Sequence, residues 1–222
     1  PYTTLFRSRI RAGEELDAAV IDPYLKAHIP GLEGTPKISQ FPGGASNLTY
    51  LIEYPRQEFV LRRPPFGHKA KSAHDMGREY RILNQLNAGF PYCPKAYLYC
   101  TDESVIGAEF YVMERVKGII LRAELPPELN LDEQQTRSLC KSFIDKFVEL
   151  HNVDYAACGL ADLGRPDGYV QRQIAGWTDR YEKALTPDAP LWEPVKAWLK
   201  DKQPADHHKP GIVRSEEHTS EL

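Results

Sequence analysis

The sequence predicts an α+β chain, an antiparallel-sheet lobe with one helix followed by an incomplete helical lobe, on three observations. Between Ile38 and Arg63, ISQFPGGASNLTYLIEYPRQEFVLRR, apolar residues alternate as strands do, around a Gly-Gly-Ala-Ser-Asn loop and a turn at Pro55 to Glu58. Two further short β-rich runs follow a single helical pattern. Beyond Gly118 the spacing becomes helical.

Taken in order, Asp22-Pro23 is read as a helix start, Asp capping and Pro at the first helical position, with the helix running to about His28. Gly31 and Gly34 then break the chain. In the strands that follow, Leu48, Tyr50 and Ile52 alternate with Thr49, Leu51 and Glu53. The third strand, Phe59 to Arg63, places Val60 and Arg62 on one face and Leu61 and Arg63 on the other. Ser72 and Asp75 form a capping pair for a helix to about Leu86, whose stripe is Met76, Tyr80, Leu83 and Leu86. Tyr97 to Cys100 and Glu109 to Met113 are two more strands. Glu114 to Gly118 is a polar crossover, and the expected lobe boundary lies there, with a nucleotide-binding lobe at 9–113 and a partial helical lobe at 114–213.

In the second lobe, Asp132 and Gln135 have capping-box spacing at the head of a helix to about His151. Leu139, Phe143, Phe147 and Leu150 form its apolar face, with Ile144 and Val148 beside it. His151 is expected as a helix-terminal packing residue. Helices are also expected over Tyr169 to Leu185 and around Glu193 to Lys200. Gly211-Ile212-Val213 has the look of a strand's opening.

The chain has 222 residues, 41% hydrophobic and 27% charged, with a net charge of −3. Such a chain can bury a core, and its charge gives no reason to expect nucleic acid or an anionic membrane as partner. No apolar run reaches membrane-spanning length and the start lacks the order of a secretory signal, so a cytoplasmic location is expected. Cys93, Cys100, Cys140 and Cys158 form no C-x-x-C pair and are expected as reduced thiols. No metal site is expected within the chain. PYTTLFRS, residues 1–8, and RSEEHTSEL, residues 214–222, resemble translations of a sequencing adapter and are set aside from the fold.

The glycine loop carries the chemistry. Gly43 and Gly44 lack a β-carbon, so the backbone can turn tightly and bring its N–H groups close to an anion. A Walker-type loop would lead from a strand into a helix and end in Gly-Lys-Ser/Thr, which is absent. In the kinase arrangement the loop joins two antiparallel strands over the phosphates, and a third strand supplies the cation. This chain has that order, although an ordinary hairpin turn would show the same glycine pair. Glu79, beside the apolar stripe of its helix, should seek a cation on the sheet. Arg62 is the first choice and Arg63 the second; a fully desolvated pair would cost about 3–5 kcal/mol to break. A solvated pairing of Glu79 would contribute under about 1 kcal/mol.

With the glycine loop, the third-strand arginine, the helix glutamate and Tyr111 to Val116 all in kinase order, the chain resembles the aminoglycoside phosphotransferase family, a branch of the protein-kinase-like fold. The phrases FPGGASNLTY, FVLRRPP, HDMGREYRIL and FYVMERVKG are similar to those of phosphotransferases related to the kinase-like domains fused to acyl-CoA dehydrogenases. The resemblance covers roughly residues 30 to 213.

It implies that Gly43, Gly44, Ala45, Ser46 and Asn47 cover the phosphates of ATP, and that Arg62 stands where lysine is usual, held by Glu79. It also implies that the Glu114 carbonyl and the Val116 N–H hold the adenine edge and that Val60 packs on the ring. Arginine for lysine is a departure: the charge is kept, but as a planar fork that cannot lose its proton. The family's His-x-Asp catalytic loop and Mg2+ ligands should follow the 211–213 strand, where this sequence has Arg214 and the adapter-like end. No catalytic residue is therefore assigned, and the chain is expected to be a fragment that does not transfer phosphate. The resemblance further implies a small-molecule hydroxyl as acceptor, such as a hydroxyacyl thioester or an aminoglycoside-like alcohol. A non-catalytic nucleotide-binding or interaction module is the alternative.

Overall fold

The computed structural model describes residues 10–41, 47–66, 75–119, 121, 126, 129–204 and 210–212. Gly43 to Ser46, Ser72, Lys69, Lys71, Val213 and both adapter-like ends lie outside the described residues. The chain divides into two compact units, Pro1–Leu150 and His151–Leu222.

The first unit holds five antiparallel strands, β1 (Lys37–Gln40), β2 (Leu48–Glu53), β3 (Glu58–Arg63), β4 (Ala96–Cys100) and β5 (Phe110–Glu114), in the order β1-β2-β3-β5-β4. Cross-strand partners sort the side chains into two faces. Leu48 opposite Arg63, Tyr50 opposite Leu61 and Ile52 opposite Phe59 lie on one; Thr49 opposite Arg62 and Leu51 opposite Val60 lie on the other. The first face closes over α1 (Ala18–His28), whose Ile21 and Leu25 are fully buried among Tyr50, Leu61, Phe110 and Val112. Each such side chain contributes about 1.5–3 kcal/mol of burial.

Helix α1 starts earlier than expected. Its cap is Asp17, whose side chain accepts from the Ala19 N–H, and Pro23 sits in the second turn. A helix that began at Pro23 would leave Ile21 outside it, and burial of Ile21 outweighs the missing Pro23 donor. Asp22 instead accepts from the Tyr54 hydroxyl at 2.8 Å and pairs with Lys26 at 2.7 Å.

The second face is covered by α2 (Met76–Leu86), which packs on β4 and β5. Its cap is Asp75, whose side chain accepts from the Arg78 N–H; the expected partner Ser72 lies outside the described residues. Gly77 lets the helix approach closely, because a β-carbon there would meet the Tyr99 hydroxyl at 2.9 Å. Tyr80 stacks on Tyr99, with ring centroids 5.5 Å apart.

Helix α3 (Glu133–His151) begins with the reciprocal cap expected. Asp132 accepts from the Gln135 N–H and the Gln135 side chain accepts from the Asp132 N–H. Its apolar face, in contrast, is not buried: Phe143 is 64% and Ile144 55% exposed, and Phe143 stacks on Phe147 of the same helix with ring centroids 5.9 Å apart. His151 ends α3, as expected. The second unit holds α4 (Tyr169–Lys183) and α5 (Glu193–Asp201), joined by Lys196 to Glu182 at 3.0 Å. Gly211 and Ile212 form no strand, but a β-carbon at Gly211 would meet the His151 carbonyl at 2.7 Å.

Candidate nucleotide site

On the sheet face that α2 covers, Glu79 sits in the first turn of the helix, where a carboxylate also complements the dipole. Its Oε2 lies 3.1 Å from Nε of Arg62 on β3 and accepts from the Tyr111 hydroxyl of β5 at 2.9 Å. Its Oε1 accepts from Nδ2 of Asn47, the last residue of the glycine loop, at 3.0 Å. Two strands, the end of the glycine loop and one helix thus meet at a single carboxylate. The expected pairing of Glu79 with Arg62 is present, Arg63 instead pairs with backbone carbonyls, and the lysine alternatives Lys69 and Lys71 lie outside the described residues.

The pair is not desolvated, however. Both side chains are 33% exposed, so the energy of a buried pair does not apply, and a contribution on the order of 1 kcal/mol follows. The separation is that of an ion pair, but Nε makes no aligned hydrogen bond, and no other described residue hydrogen-bonds the guanidinium. The fork is therefore tethered while most of its donors stay open to an anion.

Tyr111, 2% exposed, is the residue that sequence reasoning missed in this network. Burial, with the negative charge of Glu79 beside it, pushes its phenol pKa up and keeps it a donor. Only the ladder reveals it, since Tyr111 stands directly opposite Arg62.

Arg63 has another task. It is 1% exposed, donates to the Ile106 carbonyl at 2.8 Å and the Pro64 carbonyl at 3.1 Å, and lies 3.8 Å above the Phe66 ring. Burial draws its pKa down, and the nearby Tyr50 and Glu14 partly offset this. It braces the core side of the sheet.

Val60 shares the Arg62 face and is 8% exposed, with Leu51 and Met113 as its cross-strand partners. At the end of β5 the Glu114 N–H donates to the Lys95 carbonyl at 2.8 Å, and the Glu114 side chain accepts from the Lys95 N–H at 3.2 Å. Val116, 64% exposed, has no hydrogen-bond partner for its N–H among the described residues. No group of three or more His, Cys, Asp or Glu side chains among the described residues could hold a metal ion. No described helix is long and apolar enough to cross a membrane.

A five-stranded antiparallel sheet, a helix glutamate tethering a strand arginine and a crossover whose Val116 N–H is open among the described residues define the small lobe of a protein-kinase-like phosphotransferase fold. Residues 37–213 match the family model described as Phosphotransferase enzyme family, and the chain belongs to that family. It is 34% identical over 94% of its length to acyl-CoA dehydrogenase family member 11 of Gallus gallus, and 32% identical over 91% to the Homo sapiens protein of that name. Those matches span 27% and 26% of the two relatives, so the chain covers about a quarter of their length. A crystal structure from Ralstonia eutropha, assigned as an aminoglycoside phosphotransferase, is 32% identical with a TM-score of 0.70. It aligns over 86% of this chain and 54% of its own.

Proposed function

We propose that this chain carries the nucleotide-holding part of an ATP-dependent phosphotransferase that moves a phosphoryl group to a hydroxyl of a small molecule. The observation that carries the reading is the Glu79 carboxylate holding Arg62 at 3.1 Å, with Asn47 bound to the same carboxylate. Asn47 ties the end of the glycine loop through Glu79 to the strand cation, and the N–H groups of 43–47, read from the sequence, are the proposed phosphate donors beside the open guanidinium. Val60 supports the base, while the Glu114 carbonyl and the Val116 N–H, unpaired among the described residues, meet its edge.

Mg2+, when bound, would neutralise phosphate charge. No group of three or more His, Cys, Asp or Glu side chains among the described residues could hold it. The acceptor is a small-molecule hydroxyl, of a hydroxyacyl thioester or of an aminoglycoside-like alcohol, in line with the names of the relatives. Glu216, Glu217 and Glu221 have neither the spacing nor the context of a catalytic loop, so the 222 residues are expected to bind ATP without turning it over.

Calorimetric titration of the chain with ATP tests the reading. Arg62→Ala should weaken ATP about tenfold or more, since a charge-assisted phosphate contact is worth about 1.5–3 kcal/mol. Arg63→Leu, which keeps volume on the opposite face, should leave ATP affinity within about twofold. No ATP binding, or equal loss in both variants, overturns the proposal.

A further inference from the structure

Glu58 opens β3 on the same face as Val60 and Arg62, directly opposite Glu53 of β2. Like charges facing each other across a ladder are unfavourable, so this position calls for cations. They come from the crossover after β5. Arg115, its side chain 8% exposed, contacts Oε2 of Glu58, and Lys117 Nζ lies 3.4 Å from Oε1. One carboxylate thus grips the residues on either side of Val116. Val116 between them is 64% exposed.

We propose that Glu58 is a positioning residue that clamps the crossover and holds the Val116 peptide at the angle from which its free N–H meets a nucleotide base. This deepens the nucleotide reading and rests on it. Along β3, Glu58, Val60 and Arg62 then act in sequence on crossover, base and phosphates. Each step along the strand is about 7 Å. Glu58 touches no ligand; its effect passes through Arg115 and Lys117.

The test separates base from phosphate. Calorimetry compares ATP with inorganic tripolyphosphate, which has no base, on the parent chain, Glu58→Ala and Lys117→Met. Glu58→Ala should weaken ATP about tenfold and leave tripolyphosphate unchanged, because only the base edge loses its aligned donor. Lys117→Met removes a side chain that is 67% exposed and cannot unfold the sheet; it should weaken ATP about twofold to fivefold, again without affecting tripolyphosphate. Unchanged ATP affinity in Glu58→Ala, or parallel loss of both ligands in both variants, overturns the clamp while the nucleotide reading stands. Failure of the parent chain to bind ATP overturns both.

Discussion

Replacing Glu79 by alanine removes the carboxylate that Asn47, Arg62 and Tyr111 share, and the loss can be worked from their burial. Tyr111 is 2% exposed, so its hydroxyl would lose its acceptor where water does not readily replace it, at about 1–3 kcal/mol. Arg62 is 33% exposed and would rehydrate, losing under about 1 kcal/mol. The first turn of α2 would also lose a dipole-complementing charge worth about 0.3–1 kcal/mol. Together these give about 3 kcal/mol, which for a chain of this size lowers Tm by about 6–12 °C. Glu79→Gln keeps one oxygen for Tyr111 and should lose only about 1 kcal/mol. Thermal unfolding followed by circular dichroism reads both variants. Combining Glu79→Ala with Tyr111→Phe should be less harmful than the sum of the single changes by at least about 0.5 kcal/mol. A Tm for Glu79→Ala within about 2 °C of the parent, or strict additivity with Tyr111→Phe, refutes the shared-carboxylate account.

Two other outcomes follow from the first unit. Burial pushes the Cys93 thiol up to about 11, whereas Cys140 is exposed, so a maleimide at pH 8 should label Cys140 quickly and Cys93 only after unfolding; rapid labelling of Cys93 in a Cys140→Ser variant would contradict its placement. Partial burial raises the pKa of Asp22, but its bonds to Lys26 and Tyr54 outweigh that and leave it below the usual carboxylate range. Its folded pKa lies under the unfolded value of about 3.9, so its stabilisation is complete above that pH and fades as pH falls through the folded value. Asp22→Asn should therefore flatten the fall of Tm between about pH 4 and pH 2, and an unchanged slope would remove Asp22 from the account.

What the sequence reveals here divides by the distance between partners. The Arg62–Glu79 pair was legible because both residues sit on patterned elements: strand alternation fixes the face of Arg62, and the helical stripe fixes that of Glu79. The reciprocal cap of α3 was legible for the same local reason. The start of α1 was not, since Asp17 and Asp22-Pro23 are both plausible starts, and the choice is made by Ile21 and Leu25 packing on a sheet formed later in the chain. The α3 stripe marks which side of the helix is apolar, but not what covers it: Phe143 and Ile144 stay exposed, with Phe143 stacked on Phe147 of its own helix. Tyr111 and Glu58 are the hardest cases. A tyrosine in a buried strand looks like core, and a glutamate at a hairpin edge looks solvated. Their partners are reached only when β3 pairs with β5, a register that brings Glu58 to Arg115 across 57 residues of sequence. Side chains joined through strands that are not consecutive carry no periodic signal, so the site's supporting contacts emerge from topology even where its charged pair is written locally.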